Sequence, residues 1–276
     1  MKRVASRQNA LVARYRAAAR GETSDVLLLD GVHLVSEAVA AGARIRHVAV
    51  KTEAMNITEV GLLVDKLTHS KAEVVMASAS VMDALSPVRS SSTVVALADR
   101  PAVSVQMLYR RGPERAALRH DDAPLIVMAV DVQDPGNIGA IVRVAEAGGA
   151  TGVIAAGASA DPFGWKALRG STGSALRLPL LVEPDAARAV ADARRHGCRI
   201  MATVPRGGRS LFEGAYTGPV AMLIGGEGPG LPPALIDGAD ERVTIPMQTP
   251  VESLNAAVTA ALVVYEARRQ RTARRI

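Results

Sequence analysis

The sequence contains a single cysteine, Cys198, so it cannot form an intramolecular disulfide. Disulfides are typical of oxidising compartments, and we therefore expect a chain that works in the reducing cytoplasm. Cys198 begins the apolar run CRIMATV, which predicts a buried, unreactive thiol rather than a nucleophile. The basic N-terminus lacks the continuous apolar core of a signal peptide. No apolar run approaches the roughly 20 residues that cross a bilayer, so we expect no membrane partner.

Several common catalytic motifs are also missing. A GxxxxGK(S/T) motif is absent, which argues against a P-loop ATPase, and no GxGxxG follows a strand, which argues against an ordinary dinucleotide-binding fold. A GxSxG nucleophile elbow is absent too. The five histidines are dispersed and no Cys/His cluster has metal-ligand spacing, so we expect no metal. Aromatic residues make up only 3% of the chain, so stacking platforms for single-stranded bases are not expected to dominate recognition.

Length and charge narrow the possibilities further. The chain has 276 residues with 49% hydrophobic content, enough for a substantial core and for two domains. Its net charge is +6, and the excess is concentrated at the two ends. Residues 1–20 contain no acid, and neither do residues 268–276, which contain five arginines. Such ends suit a polyanionic partner, because basic side chains that neutralise phosphates release counterions. A solvated basic face is an equally good interpretation.

The order of apolar segments predicts two α/β domains. Residues 1–99 alternate short strands and helices, and residues 100–124 have the mixed charge, proline and glycine of a linker. From residue 125 to 276 strands and helices alternate regularly, beginning with LIVMAVDV, a run typical of a strand that is buried on both faces. This alternation predicts an α/β domain with a mostly parallel sheet covered by helices.

Three loops of the second domain stand where ligands bind in such sheets, beyond the carboxyl ends of strands. They are DPGNIGAIVR (134–143), GGEGPGL (225–231) and IPMQTPVESLN (245–255). Each has a purely structural alternative. The glycines of the second loop are compatible with an ordinary turn, although four in six residues favour close backbone approach to a ligand.

The polar residues of these loops have structural alternatives as well. Asn137 is able to cap the helix that we predict over 137–147, and Arg143 is able to serve as a surface charge on it. Ser253 is a candidate N-cap of the final helix. Asn255 is a poor helix former that this cap does not require, so it favours a binding role.

Taken in order, the three loops resemble the motifs of the SpoU (TrmH) family of RNA ribose methyltransferases, which belong to the SPOUT superfamily. NIGAIVR resembles the first motif, LIGGEGPGL the second, and IPMQTPVESLNAAVTAALVVYE the third. The N-terminal stretches SRQNALVARYR and LLLDGVHLVSEAVAAG resemble the family's ribosomal-protein-like substrate-binding domain. Two positions depart from the pattern: Gly226 stands where Asn or Ser is common, and Thr249 where Gly is frequent.

The resemblance implies a C-terminal domain with a deep trefoil knot, a homodimer, and methyl transfer from S-adenosylmethionine to a ribose 2′-hydroxyl of RNA. Ribosomal RNA is favoured over tRNA, because the extra N-terminal domain resembles that of rRNA enzymes. Two alternatives stay open. One is an inactive RNA-binding module of the same fold, and the other is a small-molecule α/β enzyme, against which the basic N-terminal domain argues.

The resemblance also implies roles for individual residues. Arg143 would grip the phosphate next to the reacting ribose and steady the developing alkoxide, since a guanidinium is a poor general base. The other residues implied at the catalytic centre would orient Arg143 and the ribose or bond locally: Asn137, Glu227, Ser253 and Asn255. The residues implied at the cofactor are Ile224, Gly225, Gly226, Ile245, Met247 and Leu254. On the N-terminal domain the candidates for RNA contact are Arg7, Arg14, Arg16 and Asn9, the last of which is equally suited to forming a turn.

Overall fold

The computed structural model describes residues 2–70, 72–88, 90–109 and 123–273. These residues form two compact units. The N-terminal unit comprises the described residues up to Ala102 together with the segment Phe163–Arg177. The C-terminal unit comprises the described residues of Val103–Pro162 and those from Leu178 onward.

In the N-terminal unit a five-stranded sheet is covered by four helices that precede residue 100. The strand order is β1-β4-β3-β5-β2, with β5 antiparallel to both of its neighbours and the other two pairings parallel. The strands are β1 Lys2–Val4, β2 Val26–Asp30, β3 Ile45–Lys51, β4 Glu73–Ala77 and β5 Val94–Asp99. The helices are α1 Ala10–Ala19, α2 Val32–Ala40, α3 Thr58–Thr68 and α4 Ala79–Leu85, with a 3-10 turn at Thr52–Asn56.

The remaining helices and strands follow residue 102. The helices are α5 Val105–Tyr109, α6 Pro135–Gly148, α7 Trp165–Ser171, α8 Ala186–Arg195, α9 Pro233–Asp237 and α10 Ala256–Ala273. The strands are β6 Leu125–Val130, β7 Gly152–Ala156, β8 Leu180–Glu183, β9 Arg199–Thr203, β10 Arg209–Ser210, β11 Val220–Gly225 and β12 Glu241–Thr244. All seven strands belong to the C-terminal unit and form one sheet in the order β10-β12-β9-β11-β6-β7-β8.

Every pairing in this second sheet is parallel, so the carboxyl ends of its strands share one edge. All six residues of β6 are buried, as the continuous apolar run predicted. Helices α6 and α10 pack closely, because Gly148 leaves room for the Val264 side chain where a Cβ atom would overlap it. The predicted α/β class with a mostly parallel sheet is confirmed.

The structure departs from the predicted domain division in two places. The segment Phe163–Arg177 was predicted to lie in the second domain, but it belongs to the N-terminal unit. Trp165 packs against that unit's core and Arg177 forms an ion pair with Glu37, contacts that the linear order of segments does not reveal. Part of the predicted 100–124 linker is the helix α5, whose Leu108 is buried in the core of the C-terminal unit; residues 110–122 lie outside the described residues.

Cys198 is buried, with 4% of its surface exposed, as its apolar context predicted. Burial raises the pKa of the Cys198 thiol to about 11, so the thiolate is scarce at neutral pH. Elsewhere, no helix within the described residues is both long enough and apolar enough to cross a membrane.

The basic C-terminal tail is in part structural. Arg271 is buried and donates to the carbonyl oxygens of Ala123, Tyr216 and Gly218. Arg269 forms an ion pair with Glu266 one turn earlier in α10. The last two arginines of the chain, 274 and 275, lie outside the described residues, so a role for them in RNA binding stays a prediction.

Candidate active site at the carboxyl edge of the C-terminal sheet

A cavity of about 320 Å³ opens at the carboxyl edge of the C-terminal sheet. Such a volume is within the usual range of small-molecule sites, about 300–1,000 Å³. Its walls come from the segments that follow β9, β11 and β12, together with the start of α10. The lining includes every residue that the family resemblance implies at the cofactor, namely Ile224, Gly225, Gly226, Ile245, Met247 and Leu254.

The first motif enters the site through the start of α6. Asp134 is the N-cap of this helix, because its Oδ1 accepts the Asn137 backbone N–H at 2.8 Å, and Pro135 occupies the first turn. The suggestion that Asn137 caps the helix is therefore wrong, and the helix begins two residues earlier than predicted. The Asn137 side chain is left available for contacts with the other two motifs.

At the end of the third motif, the N-cap of the final helix is a different residue from the predicted one. Helix α10 begins at Ala256, and the Oδ1 atom of Asn255 accepts the backbone N–H groups of Ala257 at 2.8 Å and Val258 at 3.3 Å. Asn255 is thus the N-cap of α10, and the interpretation that capping does not need it was wrong. Ser253 lies in the cavity wall before the helix. The observed N-cap thus lies two residues after the predicted one.

One hydrogen-bonded chain connects the three motifs. The Asn137 Nδ2 group donates to Oε1 of Glu227, and the Asn255 Nδ2 group donates to Oδ1 of Asn137 at 3.0 Å. Since the Asn255 oxygen is engaged by the α10 backbone, its amide orientation is fixed, and this in turn fixes the orientation of Asn137. The chain holds one Glu227 oxygen. Among the described residues the other oxygen has no hydrogen-bond partner and is free to accept one from a ligand.

Substitution of Asn255 separates its two roles. Asn255→Asp keeps an oxygen for the helix cap but loses the donor to Asn137, so we expect little change in stability and a clear loss of catalytic rate. Asn255→Ala loses both, and we expect an additional loss of about 1 kcal/mol in unfolding free energy. Thermal denaturation and kcat measured on both variants check this. Equal activity of Asn255→Asp and the wild type would contradict a role for the Asn137 contact.

The glycines of the second motif allow the protein's own backbone segments to approach each other. A Cβ atom on Gly225 would lie 2.5 Å from the carbonyl carbon of Gly230, and one on Gly226 would overlap the Asp131 carbonyl. Asp131 itself has a left-handed backbone with φ of 56°, and its Oδ1 accepts the Ala158 backbone N–H at 2.7 Å. The glycines thus shape the cavity by packing the second motif against the loop after β6. At Gly226, where the family pattern predicts Asn or Ser, this contact leaves no room for a side chain.

Arg143 lies apart from the three hydrogen-bonded residues. It is six residues after Asn137 on α6, which places it about 9 Å farther along the helix and about 120° around it. Its side chain is exposed, and the described residues provide it with neither a hydrogen bond nor an ion pair. The expectation that Asn137, Glu227 and Asn255 orient Arg143 directly has no contact to support it.

The end of β9 is a wall of the cavity that the sequence did not identify. Thr203, Val204 and Pro205 line it, as does Thr259 on α10. Thr203 is fixed by its hydroxyl group, which donates to the Leu223 carbonyl at 2.8 Å. The sequence shows a strand-like run, RIMATV, followed by a loop, PRGG. Only the strand order shows that this strand, β9, lies between β11 and β12 and therefore borders the cavity.

The candidates for RNA contact in the N-terminal unit have local partners in three of four cases. Asn9 caps α1 by accepting the Leu11 N–H at 2.9 Å. The side chains of Arg7 and Arg16 each donate through Nε to carbonyl oxygens of α4. Arg14 is exposed and has no hydrogen bond or ion pair among the described residues. The RNA-binding role of these residues stays a prediction.

Comparison with known proteins places this site in a family. The profile described as the SpoU rRNA Methylase family matches residues 124–265. An uncharacterized tRNA/rRNA methyltransferase of Synechocystis sp. is 30% identical over 98% of this chain and 94% of its own length. The Bacillus subtilis 23S rRNA (guanosine(2553)-2′-O)-methyltransferase RlmP is 26% identical, with 89% of each chain covered.

A solved structure with the same fold gives an independent comparison. The SpoU methyltransferase AviRb of Streptomyces viridochromogenes, in complex with AdoMet, matches with a TM-score of 0.81 and 29% identity. The match covers 96% of this chain and 99% of that one. The ordered motifs, the parallel sheet with its cavity, and these matches lead to one conclusion: the chain belongs to the SpoU rRNA methylase family.

Proposed function

We propose that this protein transfers the methyl group of S-adenosylmethionine to a ribose 2′-hydroxyl of ribosomal RNA. The observation that carries the proposal is the hydrogen-bonded chain of Glu227, Asn137 and Asn255 at the mouth of a glycine-lined cavity. In this proposal the Glu227 oxygen that Asn137 does not occupy would receive the substrate hydroxyl. Three of the curated relatives are named as 23S rRNA 2′-O-methyltransferases, which agrees with this chemistry.

The cavity fits S-adenosylmethionine by its chemistry. Apolar side chains of Ile224, Ile245 and Leu254 suit the adenine ring, and the backbone around Gly225 offers hydrogen-bonding groups without an intervening side chain. The sulfonium of S-adenosylmethionine supplies an activated methyl group, so the protein has to align the attack and manage one proton. These residues would hold the cofactor and exclude water from it.

The chain's polar residues would then act on the ribose. Glu227 would accept a hydrogen bond from the 2′-hydroxyl through the oxygen that Asn137 leaves free, and would receive the hydroxyl proton when the methyl group is transferred. Asn137 and Asn255 would hold that carboxylate in place. Arg143, exposed and without a partner among the described residues, would bind the adjoining phosphate and stabilise negative charge on the attacking oxygen. This division of roles does not require direct contact between Arg143 and the three hydrogen-bonded residues.

The N-terminal unit would bind the RNA. Arg14 would be available to a phosphate, and the exposed residues Arg7 and Arg16 use only Nε toward α4, so their other guanidinium N–H groups would be available too. We include in the proposal the trefoil knot of the C-terminal unit. Support for the knot comes from the meeting of the segments after β9, β11 and β12 around one cavity.

The proposed chemistry is tested by offering methyl-labelled S-adenosylmethionine with two substrates of identical sequence, an RNA and its 2′-deoxy counterpart. We expect label in the RNA and none in the 2′-deoxy strand, which lacks the accepting hydroxyl. Equal labelling of both strands would mean that a base accepts the methyl group, and would overturn the proposal.

A homodimer through α10 belongs to the same proposal. Val258, Leu262 and Tyr265 are 47%, 38% and 50% exposed, and their spacing places them on one face of the helix. An exposed apolar face of this kind suits a second copy of the chain.

Leu262→Glu tests this interface. We expect the variant to be monomeric and the wild type dimeric by light scattering, because burial of a charge disfavours the interface. Leu62→Glu is a matched control, since Leu62 is 62% exposed on the N-terminal unit and we expect that variant to remain dimeric. A monomeric wild type would contradict the proposal.

A further inference from the structure

The short loop between β9 and β10 is firmly held at both ends. The Val204 backbone N–H donates to the Val243 carbonyl at 2.8 Å, and the Gly208 N–H donates to the Thr244 hydroxyl at 2.9 Å. Gly207 has a φ of 76°, which turns the chain between these two anchors. Arg206 therefore projects from a loop whose base is fixed on β12, directly after the cavity-lining residue Pro205.

Arg206 differs from most arginines of the C-terminal unit because it has no hydrogen-bond or ion-pair partner among the residues that the structure describes. The described arginines that bind a carboxylate or a carbonyl oxygen in this unit are Arg188, Arg194, Arg195, Arg199, Arg209, Arg242, Arg268, Arg269 and Arg271. Within the same described part, two arginines have no such bond, Arg143 and Arg206. Both are exposed. A guanidinium without a carboxylate partner is available to an incoming anion.

The negative charges near the cavity mouth indicate a role for the Arg206 guanidinium. Glu227 lines the cavity and is exposed, and Glu252 is exposed beside the lining residue Ser253. Neither forms an ion pair within the described chain. Two carboxylates in or beside the lining oppose the approach of a polyanion, and a cation next to the lining residue Pro205 offsets them.

We propose that Arg206 binds a phosphate of the RNA strand at the mouth of the cavity and positions the target nucleotide there. The inference rests on the proposed function. A guanidinium recognises phosphate through paired N–H donors, and the neighbouring Gly207 and Gly208 leave no side chain between the loop and a nucleic-acid backbone. Phosphate is favoured over the cofactor's carboxylate because Pro205 forms part of the cavity wall whereas Arg206 lies outside the lining, exposed on the rim.

The test compares Arg206→Ala and Arg206→Lys with the wild type on transcribed 23S rRNA, using Arg188→Ala as the control. Arg188 is exposed and paired with Glu183 beside β8, at the opposite edge of the sheet, and its loss changes the net charge equally. RNA affinity is measured over a series of salt concentrations without S-adenosylmethionine. Cofactor affinity is measured by calorimetry without RNA, and kcat and KM are measured with both present.

For Arg206→Ala we expect RNA affinity to fall several-fold and the slope of log affinity against log salt to decrease by about one. KM for RNA should rise in parallel, with kcat and cofactor affinity close to wild type. Arg206→Lys should restore the salt slope and only part of the affinity, because an ammonium lacks the paired donors.

An unchanged salt slope and KM in Arg206→Ala would overturn the inference. Weakened cofactor binding with unchanged RNA binding would also overturn it and would assign Arg206 to the cofactor's carboxylate. The RNA-binding measurement does not depend on methyl transfer. A wild type that binds RNA but does not methylate it would therefore refute the proposed function and leave the Arg206 result interpretable.

Discussion

Replacement of Arg143 by alanine is expected to lower kcat for methyl transfer by about 100- to 1,000-fold, the usual cost of removing one electrostatic stabiliser of a transition state. The affinity for S-adenosylmethionine should stay near that of the wild type, because Arg143 is absent from the residues lining the cavity. Its exposed side chain has no hydrogen bond or ion pair among the described residues, so we expect its removal to leave the stability close to that of the wild type.

Two controls make this result interpretable. Arg188→Ala removes the same charge from α8, where Arg188 pairs with Glu183, and should retain full activity. Arg143→Lys keeps the charge but not the paired donors, so we expect an intermediate rate if phosphate binding dominates. Loss of cofactor affinity in Arg143→Ala, or a rate near that of the wild type, would contradict the assigned role.

Substitution of Gly225 by alanine is expected to damage the cofactor cavity itself. The new Cβ atom would lie 2.5 Å from backbone atoms of Gly230 and Leu231, so one backbone segment has to move. Overpacking of this kind costs about 1–3 kcal/mol of unfolding free energy. Because Gly225 and Gly230 both line the cavity, we also expect cofactor affinity to fall by about tenfold or more, which is about 1.4 kcal/mol of binding free energy.

Gly218→Ala is the matched control, since a Cβ atom there meets nothing within 4 Å. We expect its unfolding free energy to stay within about 0.5 kcal/mol of the wild type. Thermal denaturation and calorimetric titration with S-adenosylmethionine compare the two variants. A Gly225→Ala protein with the stability and cofactor affinity of the wild type would contradict this prediction, because the loop would then accommodate the Cβ atom without loss of either.

The sequence predicted the parallel sheet because its signal is local. The β6 segment is a continuous apolar run, which is the composition typical of a strand that is buried on both faces. From that sheet it followed that the loops after β6, β11 and β12 share an edge, and the structure brings Asn137, Glu227 and Asn255 together there.

What the sequence could not reveal depends on contacts between distant segments. The segment containing Trp165 joined the N-terminal unit through packing that no local pattern encodes. The part of the cavity wall that Val204 and Pro205 form can be predicted only when the strand order is known, because that order places β9 beside β11 and β12. The cap of α10 was misassigned to Ser253 because an apolar pattern fixes the face of a helix better than its first residue.

The central claim, methyl transfer to a ribose hydroxyl, is tested most directly by the position of the transferred methyl group. The protein is incubated with methyl-labelled S-adenosylmethionine and transcribed 23S rRNA, and the RNA is then digested completely with alkali. Alkaline cleavage requires a free 2′-hydroxyl, so a methylated ribose survives within a dinucleotide. We predict that all of the label appears in alkali-stable dinucleotides with the wild type and almost none with Arg143→Ala. Label in mononucleotides, which means base methylation, or no label from the wild type would contradict the account.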